Sequence, residues 1–401
     1  MSGGLTYREM TEADAGRVCT LIGQAFGMPG ESCDRWVRFA GLDRFRVVHR
    51  VGEEPSGCLL IADIGQHFGG RAVSMEGVAG VAVAPEARGK GIGAHMMRAM
   101  LLDMHRRGVA LSTLYPATQV LYRRVGYEQA GFANVMRLNA STIGATREDR
   151  SAEIRPVREE DWPRIVSAYR EAYAEMNGTL ERRTYIWDRV RNWRGEKTDC
   201  FVIDDGGRIE GFVAVLMRAD AADPSGRKEV FCTAVHGFTA RGARRVLAFL
   251  NDYSSMGTDV VFYCGPANPL LLLLPEQRWH RQAFGEVWMT RIVDVEKALV
   301  QRGYPAGLSG TVAFDVADDL IEENNGVFTL EVSGGVGRVK RGAAGATRAI
   351  GVHVRDLVPM YSGLHSPTIM ARLGRATGPA SALALAGAMF AAGTPAMEEH
   401  F

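Results

Sequence analysis

A strand–turn–helix opening that recurs 147 residues further along the chain sets the tightest limit on how this sequence folds. Leu5–Asp14 (LTYREMTEAD) resembles Glu153–Asp161 (EIRPVREED), with Arg8 matching Arg155 and Asp14 matching Asp161. Arg17 and Ala25-Phe26 recur at the same offset as Arg164 and Ala172-Tyr173. Each copy reads as a short strand, a turn and an amphipathic helix. Thr11 reads as an N-cap in the first, with Glu12 and Asp14 suited to the positive end of the helix. Further on, Pro116-Ala117-Thr118 with Leu121-Tyr122 corresponds to Pro266-Ala267-Asn268 with Leu271-Leu272, at an offset of 150. Two matches whose offsets differ by only three residues, as a short insertion would give, imply duplication. The chain has 401 residues, more than a single core normally supports. Related domains at 1–145 and 146–288 are therefore expected, joined through the polar stretch Ser141–Ser151.

The texture changes after Trp288. Arg291–Val295 reads as an edge or linking strand, followed by a helix near Glu296–Arg302. Alternating segments at Gly310–Val316 and Val327–Val332 predict strands, with Gly334-Gly335 as a turn. Helices are expected near Val354–Ser362 and Ala376–Ala392. Residues 289–401 thus read as a small α+β domain behind two α/β domains.

Composition excludes several functions. The formal net charge is +1, from 47 basic and 46 acidic residues, which leaves no general footprint for nucleic acid or an anionic membrane. The longest apolar stretch, Ala382–Ala392, falls short of a membrane span, and the N-terminus has no apolar signal-peptide core. Cys19, Cys33, Cys58, Cys200, Cys232 and Cys264 are scattered without C-x-x-C spacing. They predict reduced thiols in a cytoplasmic protein, with neither a zinc site nor a disulfide framework. No metal ligand set can be built around His95 or His105.

The chemistry concentrates in one segment. Ser74–Ala84 reads as a buried strand leading into Pro85-Glu-Ala-Arg88-Gly89-Lys90-Gly91-Ile92-Gly93, then a helix from about Ala94 to Arg107. A glycine-rich turn at a helix N-terminus offers unpaired amides and the positive end of the dipole to an anion. Glycines allow close approach and positive φ, and Arg88 and Lys90 add charge. The spacing fits neither a P-loop nor the dinucleotide fingerprint. A further strand, Ala110–Tyr115, precedes a short helix, Thr118–Arg124, that ends in Val125-Gly126-Tyr127. In the second copy, Phe238–Val246 lacks the paired glycines and Leu272 stands where Tyr122 does. That domain reads as a scaffold.

The R-x-x-G-x-G turn resembles motif A of the GNAT acetyltransferases, and Leu121-Tyr122 through Gly126-Tyr127 resembles their LYxxxGY signature. The resemblance implies that Arg88, Gly89, Lys90, Gly91 and Gly93, with Thr118, bind the coenzyme A of acetyl-CoA. It implies that the backbone of Val81, Ala82 and Val83 meets the developing oxyanion. Tyr122 would act as general acid toward the leaving thiolate, with Tyr127 as the alternative.

Over nearly its full length the chain is similar to the enhanced intracellular survival (Eis) family. Pro266–Leu270, Trp288–Ile292 and Ala298–Tyr304 stand as further landmarks. The implied fold is two tandem GNAT domains, the second degenerate, followed by a sterol-carrier-protein-like α+β domain whose C-terminus reaches the active site. The resemblance further implies a homohexamer that acetylates primary amines of aminoglycoside-like polyamines. The Phe401 carboxylate would be the base, with Trp36 and Glu399 facing substrate. His400 stands where the family often has an acidic residue, a departure that bears on polycation binding. Lysine side chains of proteins are the alternative acceptors, and lipid carriage by the third domain or acyl-CoA sensing are alternative functions.

Overall fold

A computed structural model describes residues 4–220, 228–256, 259–281, 286–342 and 349–401. The repeated opening proves to be one ion-pair device used twice. Arg8 donates through both terminal nitrogens to Asp14 at 2.7 and 2.9 Å, and the Thr11 amide donates to the same carboxylate at 2.8 Å. Arg155 repeats the fork on Asp161 at 2.6 and 2.8 Å, with the Arg158 amide at 2.8 Å. In each copy the acid closes a 3-10 turn that starts a helix, α1 (Ala15–Phe26) or α5 (Trp162–Tyr173). Both helices bury residues three or four apart: Val18, Leu21 and Ile22 in α1, and Ile165, Tyr169 and Tyr173 in α5.

The first domain orders β1 (Leu5–Glu9), β2 (Phe45–Arg50), β3 (Gly57–Phe68), β4 (Arg71–Val83) and β5 (Leu111–Leu114) side by side. Only the β4–β5 pair is parallel, and helix α3 (Ile92–Arg106) makes its crossover. Helices α2 (Gly30–Ala40) and α4 (Gln119–Arg123) complete the domain. The second domain repeats the plan with strands Ile154–Pro156, Asp199–Asp205, Arg208–Ala219, Lys228–Gly237 and Asp259–Cys264. Its parallel pair, Lys228–Gly237 with Asp259–Cys264, is bridged by α7 (Ala240–Asn251).

The two sheets are continuous. Strand β6 (Glu128–Asn139) pairs through its first half with Glu286–Ile292 and through its second half with Asp259–Cys264. Glu286–Ile292 in turn pairs with β5, so a strand that follows the second domain sits inside the first domain's sheet. This corrects the expectation of an edge or linking strand at Arg291–Val295. Trp288, Met289, Arg291 and Ile292 are all buried, because an interior strand covers both faces. The boundary expected at 288/289 falls within this strand.

The third domain has a five-stranded sheet ordered Val336–Arg341, Gly326–Ser333, Gly310–Ala317, Ile350–His353, Ala376–Thr377. The helix expected over Ala376–Ala392 is shorter, Ala380–Phe390, with Pro367–Arg372 as a separate turn of helix before it. Its inward residues Leu383, Ala386, Met389 and Phe390 fill the core, and Phe390 stacks on Phe314 at 5.7 Å. Among the described residues no helix is long and apolar enough to cross a membrane.

The cysteine reading also needs correction. Cys19 on α1 and Cys33 on α2 form a disulfide, with Cα atoms 5.5 Å apart. Fourteen residues of separation give no motif in sequence, and only the packing of α1 on α2 brings the two sulfurs together.

The ion-pair device carries a pH signature. Hydrogen bonds from Arg155 hold the Asp161 carboxyl at about 2, below its ordinary value. The stability it adds is therefore complete above pH ~4 and is lost as pH falls toward 2. Asp161→Asn should cost ~1–3 kcal/mol at pH 7 in urea denaturation, and the gap to the parent should narrow as pH falls from ~4 and close below pH ~2.

Candidate active site

Strand β4 creates the opening. It pairs with β5 from Met75–Leu111 to Val78–Leu114, where β5 ends while β4 runs on to Val83. On its other side the register with β3 shifts between Cys58 and Leu60, a bulge at which Gly80 has φ +59°. A Cβ on Gly80 would lie 2.7 Å from the Trp36 ring, so the bulge is also the seat of that indole. Trp36 donates from Nε1 to the Tyr185 hydroxyl at 3.2 Å and meets Phe45 edge-on. Val81, Ala82 and Val83 lie on the stretch of β4 beyond the last β5 pair.

The glycine turn follows directly. Gly89 and Gly91 have φ of +75° and +82°, and nothing stands within 4 Å of where a Cβ would project. The first helical bond of α3 runs from the His95 amide to Gly91 O, leaving the Ile92, Gly93 and Ala94 amides without a partner inside the helix. Arg88 and Lys90 are exposed beside these amides. An open, amide-lined turn of this kind fits a pyrophosphate.

Thr118 is the N-cap residue of α4, one turn before Tyr122. Tyr122 is buried, and loss of water pushes its phenol up to about 12, so it holds its proton at neutral pH. Tyr127 packs edge-on against it at 5.9 Å and is tied through its hydroxyl to Ser112 at 2.7 Å. Of the two phenols, Tyr127 is thus committed to a structural bond.

The chain end lies on the same opening. The Phe401 ring packs on Gly77 of β4, where a Cβ would come within 2.5 Å of it, and lies 5.7 Å from the Tyr115 ring at the end of β5. His400 stacks on Tyr115 at 4.6 Å. Glu399, expected to face substrate, pairs with Arg182 through one carboxylate oxygen. It is buried, and it accepts from Arg182 Nε at 2.5 Å. Glu398 is also buried; desolvation and the Glu399 charge push its carboxyl up to about 8. A cavity of about 20 Å³, room for one water, borders Glu399, His400, Trp193, Phe231, Thr233 and Tyr263. A larger cleft of 510 Å³ between α1 and α2 is lined by Cys19, Met28 and Asp34 and by none of the site residues.

Comparison with known proteins identifies the three domains. Acetyltransferase (GNAT) domain models match residues 6–130 and 178–292, and a sterol carrier protein domain model matches 295–398. The chain shares its fold with Eis1 from Mycobacterium abscessus, at 22% identity and a TM-score of 0.78, covering 99% of this chain and all of that one. It belongs to the GNAT acetyltransferases, with the Eis-like three-domain fold. A GCN5-related N-acetyltransferase from Anabaena variabilis is 28% identical with a TM-score of 0.91, over 99% of this chain and 100% of that one. An uncharacterised N-acetyltransferase from Streptomyces griseus is 25% identical over 93% of each chain.

Within this acetyltransferase the second GNAT domain is closed at the corresponding point. Thr239 caps α7 with its own side chain, accepting from the Gly242 amide at 3.0 Å. Gly242 packs directly on Glu210, whose carboxylate accepts from Arg241 at 2.7 Å. The Thr239 cap and the Glu210 backbone carbonyl, which accepts from the Phe238 and Thr239 amides, occupy the helix N-terminus that an anion would need. Sequence reasoning missed Tyr115, Arg182, Arg189 and Asn268, since all of them act through the chain end and only the fold places it beside them.

The turn's role is open to a kinetic check. A β-branched residue at Gly91 must adopt φ near +82°, a strain of about 1–3 kcal/mol that reshapes the cradle. Gly91→Val should raise KM for acetyl-CoA about tenfold or more in a thiol-release assay. An unchanged KM would remove the turn from coenzyme binding.

Proposed function

We propose that this acetyltransferase moves an acetyl group from acetyl-CoA to a primary amine of an aminoglycoside-like polyamine. The observation that carries the reading is the position of Phe401. Phe401 is buried on the β4–β5 opening of the domain that has the glycine turn. A terminal carboxylate is ionised at neutral pH and can draw a proton from an incoming ammonium. It also favours a cationic acceptor.

In this reading the Ile92–Ala94 amides, Gly89 and Gly91 hold the pyrophosphate, with Arg88, Lys90 and Thr118 around it. The coenzyme supplies a thioester carbonyl open to attack by the free amine. Backbone amides of Val81–Val83 face the oxygen that becomes negative. Tyr122 holds its proton until the thiolate departs and then donates it. Burial raises a thiol as well as a phenol, so it need not widen the gap between donor and acceptor. Trp36, on the Gly80 bulge, borders the acceptor side. The aminoglycoside class follows from the Eis-like resemblance, as does a homohexameric assembly. Lysine side chains are the competing acceptors, and parallel assays with a lysine peptide separate the two.

Tyr122→Phe should lower kcat about 100-fold with an aminoglycoside acceptor while leaving KM for acetyl-CoA within about twofold. Deleting Phe401 should lower kcat and shift its acidic limb. Full turnover in the Tyr122→Phe variant would reject the phenol as acid.

A further inference from the structure

Residues 395–401 form a strap with a built seat. The Phe132 amide donates to Pro395 O at 3.0 Å, the Ala396 amide to Asn177 O at 2.8 Å, and the Met397 amide to Phe132 O at 2.9 Å. Asn268 Nδ2 donates to Glu398 at 2.9 Å, Arg182 Nε to Glu399, and Arg189 to His400 O at 2.8 Å. Tyr115 donates its hydroxyl proton to Glu399 O at 2.5 Å.

Glycines clear the strap's path. A Cβ on Gly178 would lie 2.8 Å from the Ala396 nitrogen, and one on Gly265 would lie 2.6 Å from the Ala396 Cβ. Gly131 and Gly77 leave room for Pro395 O and the Phe401 ring in the same way. Asn177, Gly178, Arg182, Arg189, Gly265 and Asn268 all come from the second domain.

Arg182 is the strongest of these anchors. It is fully buried, lies over the rings of Tyr169 at 4.2 Å and Trp187 at 5.0 Å, and has no hydrogen-bond partner at either terminal nitrogen among the described residues. Burial works against its charge, and Glu399, Tyr169 and Glu398 together more than restore it. Removing either partner strands a charge inside the protein.

We propose that the second GNAT domain, with its own cofactor end closed, is the seat that fixes the Phe401 carboxylate, with Arg182 and Asn268 as positioning residues. The proposal rests on the reading of that carboxylate as the base. It gives the degenerate domain a role in the chemistry of the first.

The test uses the full-length protein with Arg182→Met, Gly265→Ala and the pair Gly265→Ala/Ala396→Gly. Hydrogen exchange at the amides of residues 396 and 397 reads the strap, and steady-state kinetics reads the reaction. Both single variants should speed that exchange about tenfold or more and lower kcat about tenfold, with KM for acetyl-CoA within about twofold. Ala396→Gly removes the methyl that the side chain introduced at position 265 would meet, and should restore both readouts. Unchanged exchange and kcat in both single variants, or a double variant no better than Gly265→Ala, would overturn the proposal. Failure of the base reading looks different: deleting Phe401 would leave kcat intact while Arg182→Met still frees the strap.

Discussion

The structure depends on the insertion of strand Glu286–Ile292 between β5 and β6. Without it the edge of β5 opposite β4 would lack a partner inside the protein, at a cost of about 1–3 kcal/mol for each buried group left unmade. With it, β6 belongs to both sheets and the second domain is held at a fixed angle to the first. Arg291 on the same strand pairs with Asp318 of the third domain at 2.5 Å, both buried. One strand therefore orients all three domains, and the chain returns from the third to the β4–β5 opening.

Duplication then allows a division of labour. Both GNAT domains have a parallel pair of strands and a crossover helix, so both inherit a helix N-terminus aimed at the same relative place. In the first, positive-φ glycines and unbonded amides leave that place open. In the second, Thr239 and Glu210 occupy it. A domain with no anion to bind can bury side chains that an active one must keep clear, and Arg182 beneath the strap is such a side chain.

Local chemistry was legible in the sequence where the determinants are neighbours in the chain. Arg8 and Asp14 recur with their spacing intact, the Gly89–Gly93 turn stands between a strand and a helix, and Thr118 and Tyr122 lie in a segment that resembles a family signature, so residues close in the chain located each of them. What escaped involves partners far apart. Cys19 and Cys33 meet only because α1 packs on α2. The 286–292 strand looked like a linker because strand order cannot be read from a hydrophobic run. The ion pair of Glu399 with Arg182 joins residues 217 positions apart. The glycines at 77, 131, 178 and 265 have no shared motif, only a shared neighbour in the chain end.

The central claim is that coenzyme chemistry belongs to one of two homologous domains. Calorimetric titration of the folded protein with acetyl-CoA counts the sites. One per chain is the predicted result; two, or none, would contradict the account.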